Sequence, residues 1–339
     1  MQVSETYTAN FVDTLYDEAE QYFMSQPSGR YARPVFYLKA IGFFIIYIAA
    51  YVYFVFYARH FAELLLMAFI LGLCHVFLPV NLSHDAIHHA ISRKKWINRL
   101  GLYGLEITGG NAYMYARKHL EAQYDRENGS KTKAIEHQAL VLQRSTADRK
   151  TNLPGIFYVF FSLYMIFVRD FVLFFRSGDV VPLGQVVKMM IWKLLYAVAF
   201  LVVPFVFIQA PWWHVLISLF VMYLVITASL VIILLMPTER MESTRTDEHF
   251  THNEKWIQEI LEHNVDFSPR NKALSTLTGA ANLNVVHHLF PDVNHVHYYH
   301  LSGIIERTAT RYGLQYRKQL VIDVFGIHLK YMKNIHKQA

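Results

Sequence analysis

Four short stretches of this chain carry residues suited to binding a metal. The densest is 284–298, NVVHHLFPDVNHVHY, in which His287 and His288 follow Asn284 at three and four residues. Positions so spaced share one face of a helix, so an amide and two imidazoles can aim into one small volume. Imidazole is the commonest protein ligand for redox-active metals. His295 and His297 come soon after and are expected as neighbours or hydrogen-bond partners of the site rather than ligands. The second stretch, 81–89, places His84 and His88 at i and i+4, with Asp85 between them and His89 next in line. The third, 118–124, offers His119 followed by Glu121, Gln123 and Tyr124, and the fourth, 256–267, sets Glu259 four residues before His263. Taken alone, the third and fourth read as ordinary polar turns of surface helices. The second reads equally well as the solvated end of a helix.

The elements that must position these residues are written in the composition. Hydrophobic residues make up 54% of the 339 positions, aromatic residues 15% and charged residues only 17%. A soluble domain carries about 25% charged residues, so much of this surface is expected to face lipid. Four apolar runs, 35–57, 62–80, 186–208 and 212–236, approach the ~20 residues needed to cross a bilayer. Short breaks join them into two hairpins. The run 156–175 is also apolar, but Arg169 and Asp170 lie within it, and charges at bilayer depth are costly. It is expected to lie at the interface. The polar segments 81–154 and 237–339 are rich in Lys and Arg, so the positive-inside rule puts both on the cytoplasmic side. A fifth span would separate the histidine stretches across the membrane. Within the first polar segment, 97–115 reads as a mildly apolar interfacial helix. Residues 1–34 form a polar arm, in which Phe11, Leu15, Ala19 and Phe23 recur every four residues and predict an amphipathic helix over 10–24.

The fold class expected is therefore an all-α integral membrane protein: four transmembrane helices in two hairpins, with interfacial helices and a cytoplasmic helical cap holding a histidine-rich metal site. The single cysteine, Cys74, excludes an internal disulfide and a cysteine-ligated iron–sulfur cluster within the chain. The net charge of +6 is spread over the polar segments. It suits membrane orientation and anionic headgroups, and no motif points to nucleic acid.

The 284–298 string resembles the third histidine box of membrane fatty acid desaturases of the front-end, acyl-CoA or acyl-lipid type. There Gln-x-x-His-His is followed by Leu-Phe-Pro and later by His-Tyr or His-Asn. His84-Asp85-Ala86-Ile87-His88 resembles that family's first box, and Gly109-Gly110 with Lys118-His119 resembles the approach to its second. The similarity runs from about the first apolar run to Tyr316, with residues 35–339 as the desaturase-like part. It implies two irons ligated almost wholly by histidine, with O₂ as co-substrate and removal of two hydrogens from neighbouring methylenes of an acyl chain. The implied ligands are His84, His88, His119, His287 and His288, with Asn284, Glu259 and His263 as further candidates. The chemistry explains the ligand type: an unactivated C–H bond has no acidic proton, so a redox metal rather than an acid–base pair must break it.

The chain departs from that pattern in three places. The family's second box reads His-x-x-x-His-His, but after His119 this chain has Gln123 and Tyr124. A family histidine upstream of the third box falls at Glu259, and the first place of the third box is Asn284. Loss of two imidazoles leaves one iron as the alternative to two, with His89, Glu121, Gln123 or His263 as substitute ligands. No His-Pro-Gly-Gly haem motif occurs, so electrons are expected from an external carrier such as a ferredoxin or cytochrome b5. The competing readings are an acyl-chain hydroxylase on the same scaffold, a diverged non-catalytic lipid-binding relative, and a zinc hydrolase. The last is suggested because His84-Asp85-x-x-His88 is one side chain from a His-Glu-x-x-His motif.

Overall fold

A computed structural model describes residues 5–127, 160–176, 181–235, 257, 260–262, 264–323 and 326. Among these residues, four helices are long and apolar enough to cross a membrane: Pro34–Tyr57 (α2), Phe61–Ile87 (α3), Leu183–Phe207 (α8) and Trp212–Ile233 (within α9, Trp212–Leu235). Pro34 begins α2 at a first-turn position, where its missing N–H costs nothing. At the start of α3 the Glu63 carboxylate accepts hydrogen bonds from the Arg59 and His60 backbone N–H groups at 2.8 and 3.2 Å, so the turn between the first two spans is locked. The α3 and α9 backbones meet closely at Gly72. A Cβ there would lie 2.8 Å from the Met222 carbonyl oxygen and 2.8 Å from Val225 Cβ.

The 27 residues of α3 are the pivotal length. At 1.5 Å per residue they make a rod of about 40 Å, against a hydrocarbon thickness of about 30 Å. The apolar run ends near Val80, yet the helix continues for two more turns that carry Asn81, His84, Asp85 and Ile87. Buried contacts hold this extension. Ser83 Oγ donates to the Gly101 carbonyl at 2.8 Å, and Asn81 Nδ2 donates to the Leu277 carbonyl at 2.7 Å.

The segment 97–115, read from sequence as one helix, is broken into Lys95–Gly101 (α4), Tyr103–Ile107 (α5) and the start of Ala112–Glu127 (α6). Gly109 explains the break. Its φ of +86° is left-handed, and a Cβ there would lie 2.8 Å from Ile166 Cγ2. The helix ends at this turn and α6 begins anew at Ala112, carrying His119.

The described part of 156–175 is helical and ends in Arg169–Arg176 (α7). Its Asp170 is buried and pairs with buried Lys193 of α8 at 2.7 Å. Lys193 also donates to the Gly109 carbonyl at 2.6 Å and to the Ile166 carbonyl. Asp170, one of the two charges that argued against a fifth span, is thus paired inside the protein.

The cap packs around the 284–298 stretch. The N-terminal helix Glu5–Met24 (α1) is longer than the 10–24 predicted, and it buries the expected face of Phe11, Leu15, Ala19 and Phe23. These side chains share one core with Leu289 and Phe290, at and after the end of Asn284–Leu289 (α11), and with Leu301 and Ile305 of Tyr298–Arg311 (α12). Full burial of each Phe or Leu stabilises the cap by roughly 1.5–3 kcal/mol. A two-residue parallel pair joins Asp266–Phe267 (β1) to Lys318–Gln319 (β2). It brings Asp266 under α11, where one carboxylate oxygen accepts from the Val285 N–H at 2.7 Å and the other from the Tyr316 hydroxyl at 2.5 Å. Between α3 and α11, Lys272–Leu277 (α10) supplies the Leu277 carbonyl that Asn81 holds.

Candidate metal centre

Three separated segments bring four imidazoles together. His84 lies in the last turn of α3 and His88 caps its end, with ring centroids 5.1 Å apart. His119, from α6, lies 5.2 Å from His84 and 4.9 Å from His88. His287, from α11, closes the group at 4.7, 5.0 and 5.7 Å from His84, His88 and His119. One nitrogen of each ring can be chosen so that all four lie within 4.8 Å of one another. His88 Nε2 and His119 Nε2 approach to 2.9 Å. All four side chains are partly buried, so the site keeps an opening.

The electrostatics favour lone pairs over protons. Burial, and then repulsion from His84, pushes the His88 imidazole down to about 3 against the opposing pull of Asp85. Burial also holds His287 well below the ordinary range, reinforced by the charges that His84 and His88 would carry. Both rings are therefore neutral at neutral pH, which is the state a metal requires. The rings are also oriented from behind. His287 Nδ1 faces the Tyr298 hydroxyl at 3.2 Å, and Asp85 Oδ1 lies 3.9 Å from His84 Nδ1. Nitrogen donors from neutral rings, steered by outer partners, fit a first-row transition ion such as iron or zinc.

The other sequence candidates are placed differently. His288 is buried beside His287, with ring centroids 5.4 Å apart, and stands outside the group of four. A short helix turns adjacent residues about 100° apart, so the two rings cannot share one direction. Asn284 is buried, and its Nδ2 donates to Asn264 Oδ1 at 2.9 Å. His89 follows the end of α3 with a left-handed φ of +57° and is exposed. His295 and His297 are both buried. His295 Nδ1 meets Asp85 Oδ2 at 2.7 Å, while His297 is held by the Tyr22 hydroxyl at 3.0 Å and the Tyr31 carbonyl at 2.9 Å. Glu259 and His263 lie outside the described residues. The backbone of α6 runs through Glu121, Gln123 and Tyr124, whose side chains also lie outside the description.

The sequence reading assigned no role to two site residues. Asp85, 2% exposed, accepts hydrogen bonds from the Asn294 amide at 2.6 Å as well as from His295. A carboxylate lodged between two candidate ligands was the available signal. Asp266 sits 18 positions before Asn284 and has no local pattern that foretells its bond to α11. Burial raises its carboxyl to about 7, although the Tyr316 hydroxyl and the backbone of α11 pull it down.

Helices able to span a bilayer, with one prolonged to deliver imidazoles to a buried cluster, define a class of membrane protein with a histidine-lined centre. Comparison with known proteins gives the family. Residues 59–320 match the fatty acid desaturase family, to which this chain belongs. It is 23% identical over 335 residues to an acyl-lipid (8-3)-desaturase of Physcomitrium patens, covering 93% of this chain and 69% of the relative. It is 22% identical to sn-1 linoleoyl-lipid 6-desaturases of Arthrospira platensis and of Synechocystis. The matches cover 84% and 93% of this chain and 80% and 92% of those relatives. No solved structure matches the chain.

Proposed function

We propose that this protein is a membrane acyl-lipid desaturase, in which His84, His88, His119 and His287 hold iron and an acyl chain is dehydrogenated with O₂ and external electrons. The observation that carries the reading is the convergence of four imidazoles from α3, α6 and α11 within 4.8 Å. Family membership supports an O₂-dependent oxidoreductase acting on lipid acyl chains, and the curated relatives are acyl-lipid enzymes. When bound, iron supplies the redox chemistry that an unactivated methylene demands. His288, Asn284, Glu259 and His263 are the candidates for completing the ligand set.

The chain's own residues do the rest. The extended end of α3 fixes His84 and His88 one turn apart. Asp85 and Tyr298 set ring directions from behind. Burial keeps His88 and His287 unprotonated. An apolar groove of about 210 Å³, lined by Tyr47, Tyr51, Trp192, Leu195 and Ala199 among others, lies between α2 and α8 and suits an aliphatic chain. In this reading the cap and both termini face the cytoplasm, where a ferredoxin or cytochrome b5 would dock.

The changed second box motivates the alternative readings of a hydroxylase or a non-catalytic lipid binder. The experiment is expression in a host supplying the electron donor, with fatty acid analysis by mass spectrometry and iron determination on the purified protein. The expected result is a new double bond, lost in His287→Ala, with iron bound. A new hydroxyl without a double bond would select the hydroxylase. Bound lipid without turnover would select the non-catalytic relative, and zinc alone would select hydrolysis.

A further inference from the structure

Behind the four-histidine cluster runs a second line of contacts, formed by groups from three elements. Asp85 Oδ2 accepts from Asn294 Nδ2 at 2.6 Å, from the His295 backbone N–H at 3.3 Å and from His295 Nδ1 at 2.7 Å. On the far side of the same ring, His295 Nε2 lies 2.6 Å from Nζ of Lys39, which belongs to the first span. Lys39 Nζ also donates to the Thr276 carbonyl at 3.1 Å, and the Phe36 ring packs 5.5 Å from the imidazole. His295 is 5% exposed and Asp85 2%, so water does not compete for these bonds.

The donor inventory assigns the protons. A lysine ammonium has donors and no acceptor, so Nε2 of His295 must present its lone pair to Lys39. The ring proton then sits on Nδ1 and is donated to Asp85. With Oδ2 occupied by three donors, Oδ1 is the oxygen turned toward His84 Nδ1, 3.9 Å away. At that distance the carboxylate attracts the Nδ1 edge of the His84 ring without a direct hydrogen bond, and outer partners of a ligand commonly raise metal affinity.

We propose that Lys39 and His295 are positioning residues for the metal centre: they form a Lys39–His295–Asp85 line that sets His84 for metal binding and ties the first span to the site. The proposal rests on the metal reading of the cluster. It predicts that a side chain on α2, remote from every histidine box, controls metal affinity. Because the line is serial, breaking it at either member has the same consequence.

The test is Co(II) titration of the purified, metal-free full-length protein in detergent, read by ligand-field absorption, for wild type, Lys39→Met, His295→Leu and the double variant. Thermal denaturation of each confirms that it is folded. The expected result is a Co(II) Kd raised about tenfold in either single variant, with an altered absorption band and no further loss in the double variant. Additive losses, or wild-type affinity and spectrum in both single variants, would overturn the proposal while leaving the site intact. A wild-type protein that binds no Co(II) would overturn the metal reading as well. Should His295→Leu fail to fold, Lys39→Met against Lys39→Arg decides. Arginine also lacks an acceptor and should retain affinity, and equal affinity in the two variants would refute the line.

Discussion

Acid should destabilise the metal-free protein through its histidine cluster, and by an amount that the geometry bounds. Two imidazolium nitrogens at 4.8 Å, the widest spacing within the cluster, repel by about 3.5 kcal/mol at an effective dielectric of 20, which equals about 2.5 pH units. The folded cluster therefore resists a second proton across the whole mildly acidic range. In the unfolded chain each histidine protonates near 6.5, whereas folded His88 is held down to about 3. Between those values the unfolded state binds more protons. The stability from neutral His88 is thus fully present above about 6.5 and is lost as pH falls toward 3. The loss runs at no more than about 1.4 kcal/mol per pH unit and about 5 kcal/mol in total. His287 is pushed in the same direction and adds to the slope. Denaturation of metal-free wild type and His88→Gln from pH 4 to 7 measures the effect. The variant should show the shallower pH dependence, and metal-loaded wild type should begin its loss at lower pH. Parallel curves for wild type and His88→Gln would refute the reasoning.

Two further outcomes are expected. Asp266 is shifted the opposite way, raised to about 7. Its contribution is present in full below the unfolded value near 4 and disappears as pH rises through 7, so Asp266→Asn should flatten the decline in stability over that window in the same denaturation assay. Lys193→Met leaves buried Asp170 without its partner and should cost roughly 3–5 kcal/mol, seen as a lowered Tm, whereas adding Asp170→Leu should restore much of the loss.

The parts of this protein that were legible in sequence are those whose cause is local. The spans were readable because partition into lipid depends on about twenty consecutive side chains. The four apolar runs fall within or almost within the helices found, with ends differing by a few residues. The α1 face was readable because Phe11, Leu15, Ala19 and Phe23 keep one helical period. The pairing of His84 with His88 followed from i,i+4 spacing alone. What adjacency could not decide was direction. His287 and His288 look equivalent in the string, yet on the single short helix α11 one turns into the cluster and the other stands beside it.

Everything that depends on distant segments meeting waited for the tertiary structure. Its local pattern left His119 an ordinary polar residue and only the family resemblance made it a candidate ligand, whereas the fold places its ring within 5 Å of His88. Lys39 has no local pattern that gives it a role, but burial leaves its ammonium needing acceptors, which His295 and the Thr276 carbonyl supply. Asp85 stood plainly between two candidate ligands, though its partners lie more than 200 positions away. The sequence alone thus determined which segments are long and apolar enough to cross a membrane and which residue types could hold a metal. Only the packing of α3, α6 and α11 decided which imidazoles share one volume, because that volume exists nowhere along the chain.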